Sequence, residues 1–201
     1  MSRIGVFGGT FNPPHLGHLR LAKAAKAQGN LDTVLIMPAN IPPHKEARNL
    51  ICSDDRLELC RRTFEDEAFV ISDLELRRTG KSYTVDTIHV LKDAYPGDEL
   101  FLIIGSDMLL SFDRWYRWQE ILSLCSLLVL SREDEISPLA LRAYANDMLG
   151  LAEGEGYQIL NLTPMELSST YIRETCKQGG DVSQFLTDAA NAYIKEKGLY
   201  Q

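Results

Sequence analysis

Two histidines, His15 and His18, stand three residues apart in the stretch GVFGGTFNPPHLGHLRLA, just after a glycine pair, in a chain with only four histidines. Residues three apart are neighbours on one face of a helix. A helix that starts behind Pro13 and Pro14 turns its unpaired first-turn amides, and the positive end of its dipole, toward the same corner. Gly8 and Gly9 permit positive φ and close approach of a ligand to the backbone, and Pro14 suits the first helical turn. Imidazoles, free amides and a helix dipole together make a site for an anion such as a phosphate. The spacing matches neither G-x-G-x-x-G nor the P-loop pattern, so those two phosphate chemistries are not supported.

Other residues carry weaker local signals. In SSTYIR, Ser168 or Ser169 caps a helix, Thr170 adds a hydroxyl and Arg173 a delocalised cation about one turn later; taken alone this is an ordinary capping sequence. His44 and Lys45 follow two prolines that resist helix and keep the loop extended, and a solvated basic loop explains them equally well. Asp107, after Gly105 at the end of an apolar run, is placed either to accept from a ribose or to cap a helix. Thr84 in SYTVDT is a good cap, with Asp86 in the first turn. Trp115 is a stacking candidate, whereas Trp118 reads as core. No cluster of Asp, Glu or His has the spacing of a protein-held metal, so none is expected.

The elements that must position these residues alternate. RIGVF, TVLIMP, FVISDLEL, ELFLIIGSD, SLLVLSR and YQILNL read as strands. Helices are expected from Leu16 to Gly29–Asn30, over SDDRLELCRRTF with Ser53 or Asp54 as cap, over SYTVDTIHVLKDAY up to Pro96–Gly97, and over SPLALRAYANDML, SSTYIRETCKQ and DVSQFLTDAANAYIKEK. Unbroken apolar strands between helices predict a doubly wound α/β fold, a mainly parallel sheet with helices on both faces. Without repeats or linkers, residues 1–201 are expected to form a single domain. Ligands of such sheets bind beyond the carboxyl ends of strands. Gly8 to His18, Pro38 to Lys45, Gly105 to Asp107, and Arg132 each follow one.

Composition bounds the function. Apolar residues make up 45% and charged residues 24%, a globular balance with no run long enough to span a membrane. The amino terminus lacks the apolar core of a signal peptide, and four cysteines without a CxxC pair read as reduced thiols, so a cytoplasmic protein is expected. A net charge of −7 argues against binding an extended nucleic-acid backbone but leaves room for a small phosphorylated ligand, which needs only a few local cations.

GGTFNPPHLGH closely resembles the (H/T)xGH signature of the nucleotidyltransferase α/β phosphodiesterase superfamily, in the form found in bacterial nicotinate mononucleotide adenylyltransferases. PANIPPHK, SYTVDT, IGSDML with RWYRW, and SSTYIR follow in that family's order over nearly the whole chain. The resemblance implies a Rossmann-like enzyme of NAD biosynthesis that transfers the adenylyl group of ATP to nicotinate mononucleotide, releasing pyrophosphate. It implies that His15, His18, Lys45 and Arg173 are catalytic, acting on phosphates. It assigns ATP binding to Gly8, Gly9, Thr10, Phe11, Gly105, Asp107, Ser168, Ser169 and Thr170. The mononucleotide falls to Asn40, His44, Ser82, Tyr83, Thr84 and Trp115, with its carboxylate at the helix start. Mg2+ would arrive with ATP, held by phosphate and water. Asn12 stands where the family often has aspartate, which removes a negative charge beside the anion site, and FLTDAANAYI lacks the family's proline-valine element. Three other readings compete: the same chemistry on nicotinamide mononucleotide or phosphopantetheine, a nucleotide sensor without turnover, and a tRNA synthetase fragment. The last fails on the absent lysine-rich loop and on net charge. Nothing in the sequence fixes the oligomeric state.

Overall fold

Short apolar runs form the strands, and the amphipathic stretches between them form the helices. A computed structural model describes residues 1–40, 50–80, 82–132, 136–162 and 167–201. Among these the order is β1 (Arg3–Gly9), α1 (Leu16–Gln28), β2 (Thr33–Pro38), α2 (Ser53–Thr63), β3 (Phe69–Ile71), α3 (Thr84–Ala94), β4 (Glu99–Gly105), α4 (Ser106–Leu109), α5 (Trp118–Leu124), β5 (Ser126–Arg132), α6 (Pro138–Asp147), β6 (Tyr157–Leu162), α7 (Ser169–Lys177) and α8 (Asp188–Lys197). The strands form one sheet in the order β3-β2-β1-β4-β5-β6. β1 with β4, β4 with β5 and β5 with β6 are parallel. The order runs one way from β1 and the other way from β4, as in doubly wound nucleotide-binding folds. Right-handed crossovers in opposite directions place helices on opposite faces. The expected fold class is the one observed.

The chain divides into two compact units. One comprises Met1–Gly8, Leu21–Leu35 and Tyr83–Pro164. Its core is the middle of the sheet: Ile4 and Val6 of β1, Leu100 to Ile104 of β4 and Leu127 to Leu130 of β5 are buried, with Val6 opposite Leu102 and Leu102 opposite Leu127. The other comprises Gly9–Arg20, Ile36–Ser82 and Met165–Gln201. There Leu59 of α2, Ile172 of α7, and Ala190, Tyr193 and Ile194 of α8 pack in one cluster with Val182, Leu186 and Tyr200.

Several boundaries differ from expectation for local reasons. β3 ends at Ile71 because the Ser72 hydroxyl accepts the Leu74 amide at 3.3 Å and turns follow. β4 stops at Gly105, and Ser106 begins α4. The expected final helix is split, because Asp181 binds the Ser183 amide and hydroxyl around a 3₁₀ turn at Ser183–Phe185. Thr187 then caps α8 by accepting the Ala190 amide at 3.3 Å. At α2 the cap is Cys52 instead of Ser53 or Asp54; its sulfur accepts the Asp55 amide at 3.4 Å and donates to the Asp55 carboxylate at 3.0 Å.

Candidate functional site

In the second unit, β1 ends at Gly9 and the chain turns through Thr10 to Pro14 into α1. The residue that takes the left-handed conformation is Phe11, at φ 47°, and neither Gly8 nor Gly9 does so, contrary to expectation. Gly9 is required for a different reason: a Cβ there would stand 2.9 Å from the Phe11 ring. That ring packs edge-on against His18 and Phe64. Gly8, in the other unit, is exposed with open space where a Cβ would be.

Pro14 precedes α1 and lies outside its first turn. His15 takes the cap position, its carbonyl accepting the Leu19 amide at 3.1 Å. The expected pairing of the histidines holds, with ring centroids 3.8 Å apart. His15 is 5% exposed and His18 half-buried, so this is a recessed corner.

The second phosphate motif is bonded to the same loop. Ser168 caps α7 by accepting the Tyr171 amide at 3.2 Å. The Ser169 hydroxyl donates to the Pro13 carbonyl at 2.8 Å, and the Arg173 guanidinium donates to the Asn12 carbonyl at 2.9 Å and to the Thr170 hydroxyl at 3.1 Å. Residues more than 150 positions apart in the chain thus meet at one corner. The Asn12 side chain, 6% exposed, accepts from Ile51 N at 3.4 Å and from the Tyr200 hydroxyl at 3.0 Å. Burial pushes the Tyr200 phenol above its ordinary range, so it remains a donor at neutral pH.

Sequence reasoning missed Arg56. This side chain of α2 is 1% exposed, and its guanidinium donates to the carbonyls of Thr10 at 2.9 Å, Ala39 at 2.6 Å and Asn40 at 3.2 Å. The available signal was its phase, since Arg56, Cys60 and Thr63 share one buried helical stripe. Tyr200 and Asn12 were missed as partners, and only their long-range pairing reveals them. Asn40 also donates to the Arg78 carbonyl at 2.8 Å, and the Ser82 hydroxyl accepts from the Arg78 guanidinium at 3.2 Å. His44 and Lys45 lie outside the described residues.

The remaining candidates belong to the first unit. Thr84 is the first residue of α3 and not its cap; Tyr83 occupies the cap position without a side-chain hydrogen bond to the helix. Tyr83 lies against Tyr116, ring centroids 4.7 Å apart, and Tyr116 is 56% exposed. Trp115 is half-buried and stacks on Phe112 at 4.8 Å. Trp118, expected in the core, is half-buried at the start of α5. Asp107 lies in the first turn of α4 with its side chain exposed, and Gly105 is the α4 cap. A Cβ on Gly105 would stand 2.7 Å from the Asp107 carboxylate, so a side chain there would displace that carboxylate. Among the described residues, no group of three or more His, Cys, Asp or Glu could hold a metal ion, and no helix is long and apolar enough to cross a membrane.

Comparison with known proteins bears on this arrangement. The cytidylyltransferase-like family model matches residues 6–175. The chain is 38% identical to a probable nicotinate-nucleotide adenylyltransferase of Geobacter sulfurreducens, over 98% of each chain. It is 35% identical to the nicotinate-nucleotide adenylyltransferase of Bacillus subtilis, over the full length of both. Among solved structures, Plasmodium falciparum nicotinic acid mononucleotide adenylyltransferase complexed with NaAD shares the fold, with a TM-score of 0.79 at 14% identity over 100% of this chain and 98% of that one.

Proposed function

The chain belongs to the nicotinate-nucleotide adenylyltransferase family, within the cytidylyltransferase-like group, and from that premise we propose that it joins the adenylyl group of ATP to nicotinate mononucleotide. A phosphate oxygen of the mononucleotide attacks the α-phosphorus, the bond to the bridging oxygen breaks, and pyrophosphate leaves. Both reactants are anions, so the protein's work is positioning and charge stabilisation more than covalent chemistry.

The observation that supports this most is the locked corner: two adjacent imidazoles, ring centroids 3.8 Å apart, at a helix start, with Arg173 and the α7 start bonded to the same loop. His15 and His18 would donate to ATP phosphates as charge moves onto pyrophosphate, and Arg173 supplies fixed positive charge beside them. Ser168, Ser169 and Thr170 serve the same phosphates at the first turn of α7, Ser169 partly by holding Pro13. Thr10, Phe11 and the open face of Gly8 let the nucleotide approach the backbone. Lys45 and His44 add further phosphate donors. Gly105 and Asp107 offer a carboxylate to the adenosine ribose.

For the mononucleotide, Asn40, Ser82, Tyr83, Thr84 and Trp115 are the binding candidates. The Tyr83 side chain makes no hydrogen bond to the first-turn amides of α3, and a helix start suits a ligand carboxylate, which favours the acid over the neutral amide. The donors at the corner suit phosphate oxygens, and Mg2+ would arrive with ATP, held by phosphate and water. Four free cysteines support a cytoplasmic setting.

The test is α-labelled ATP with nicotinate mononucleotide. The label should appear in the dinucleotide, with unlabelled pyrophosphate released. Label remaining in ATP, with the chain bound to both nucleotides, would identify a sensor instead.

A further inference from the structure

Arg56 is a deeply buried cation, 1% exposed. A well-packed apolar side chain at such a position is commonly at least as stabilising as a buried charge. Among the described residues no carboxylate is paired with it; its partners are three main-chain carbonyls, and its Nε is buried without a partner. Burial pushes its pKa below the ordinary arginine value, which is the direction expected when no anion offsets desolvation.

Its placement supplies a reason. Thr10 follows β1 and Ala39–Asn40 follows β2, so one planar fork spans the turns that leave two strands. The same turns are tied once more, Ala39 N donating to the Gly9 carbonyl at 2.8 Å. In a trans peptide the N–H lies opposite the C=O. Drawing the Thr10 and Ala39 carbonyls toward the guanidinium therefore aims the amides of Phe11 and Asn40 the other way, and it sequesters oxygens that would repel a phosphate. A lysine, with a compact point charge, does not reproduce this fork.

We propose that Arg56 is a positioning residue that fixes the spacing between the Thr10 turn and the Ala39–Asn40 turn, and so holds two substrate-binding loops in register for transfer. The proposal rests on the adenylyl-transfer reading of those loops. It deepens that reading with a residue that does not touch the reacting atoms.

The test compares wild type with Arg56→Lys and Arg56→Met, by steady-state kinetics, melting and hydrogen exchange. Small misplacements of reacting groups reduce kcat by one or two orders of magnitude. Both variants should therefore stay folded and lose at least about tenfold in kcat, with each KM within about threefold, Lys less affected than Met. Exchange should quicken in the peptides covering Gly8–Pro14 and Ile36–Asn40 and stay unchanged in α8. Folded variants with wild-type kcat and unchanged loop exchange would overturn the proposal. So would failure of both to fold, or exchange that rises across α2 and α8 with full activity per folded molecule, since those outcomes describe a purely structural residue. Wild type that releases no pyrophosphate would instead refute the adenylyl-transfer reading, and the exchange pattern would still decide the role of Arg56.

Discussion

The corner between β1 and α1 and the start of α3 with the Trp115 segment are both candidate ligand-binding regions, and they are built in opposite ways. At the corner four polar side chains are tied by long-range bonds: Ser169 to Pro13, Arg173 and Tyr200 to Asn12, and Arg56 to Thr10. At the start of α3 and in the Trp115 segment the ring contacts are aromatic, Tyr83 on Tyr116 and Trp115 on Phe112. Groups that stabilise a transferring phosphoryl must be in place before the charge develops, so they are worth locking. A ring that is only recognised can be met by side chains with room to adjust, which is what an exposed Tyr116 provides.

From this contrast, the largest effect belongs to the corner. His18→Ala should lower kcat by about two to three orders of magnitude, the range seen when one transition-state donor is removed. Melting within a few degrees of wild type would show that the loss is chemical. A near-normal kcat would remove His18 from the reaction. Next comes the lock itself: Tyr200→Phe takes away one buried hydrogen bond, about 1 kcal/mol of stability, and should reduce kcat severalfold through the loosened Asn12 loop. Unchanged kcat in a destabilised variant would make Tyr200 a packing residue only.

Trp115→Ala should raise KM for the mononucleotide severalfold and leave KM for ATP nearly unchanged; equal shifts would separate it from the pyridine site. The smallest effect lies away from both regions. Tyr193 donates to the Asp55 carboxylate at 2.8 Å, and burial together with that partner pushes its pKa up to about 12. The folded state thus favours the neutral phenol more than the unfolded state does. Its contribution is present below pH about 10 and is lost as pH rises toward the folded value. Denaturant titrations should show stability falling over that interval, and falling less in Tyr193→Phe.

The same contrast explains what the sequence disclosed. The fold class was legible because buried parallel strands are apolar without interruption, as in LFLII of β4. The histidine pair was legible because a helix start and a spacing of three are local facts. Arg56 and Tyr200 were not, since their partners lie 46 and 188 residues away. Caps at Cys52 and Tyr83 escaped because hydroxyl or carboxylate residues next door are better caps by type, and tertiary packing chose otherwise. Phe11 took the left-handed position beside two glycines because its ring fills the space under Gly9.

The central claim is adenylyl transfer to a carboxylate-bearing mononucleotide. Its most direct test is the ratio of kcat/KM for nicotinate and nicotinamide mononucleotides, with ATP and magnesium, followed as pyrophosphate release. A carboxylate received at the start of α3 predicts a preference for the acid of at least about tenfold. Equal use of both, or preference for the amide, would contradict that account of α3, and release with neither would contradict the assigned reaction itself.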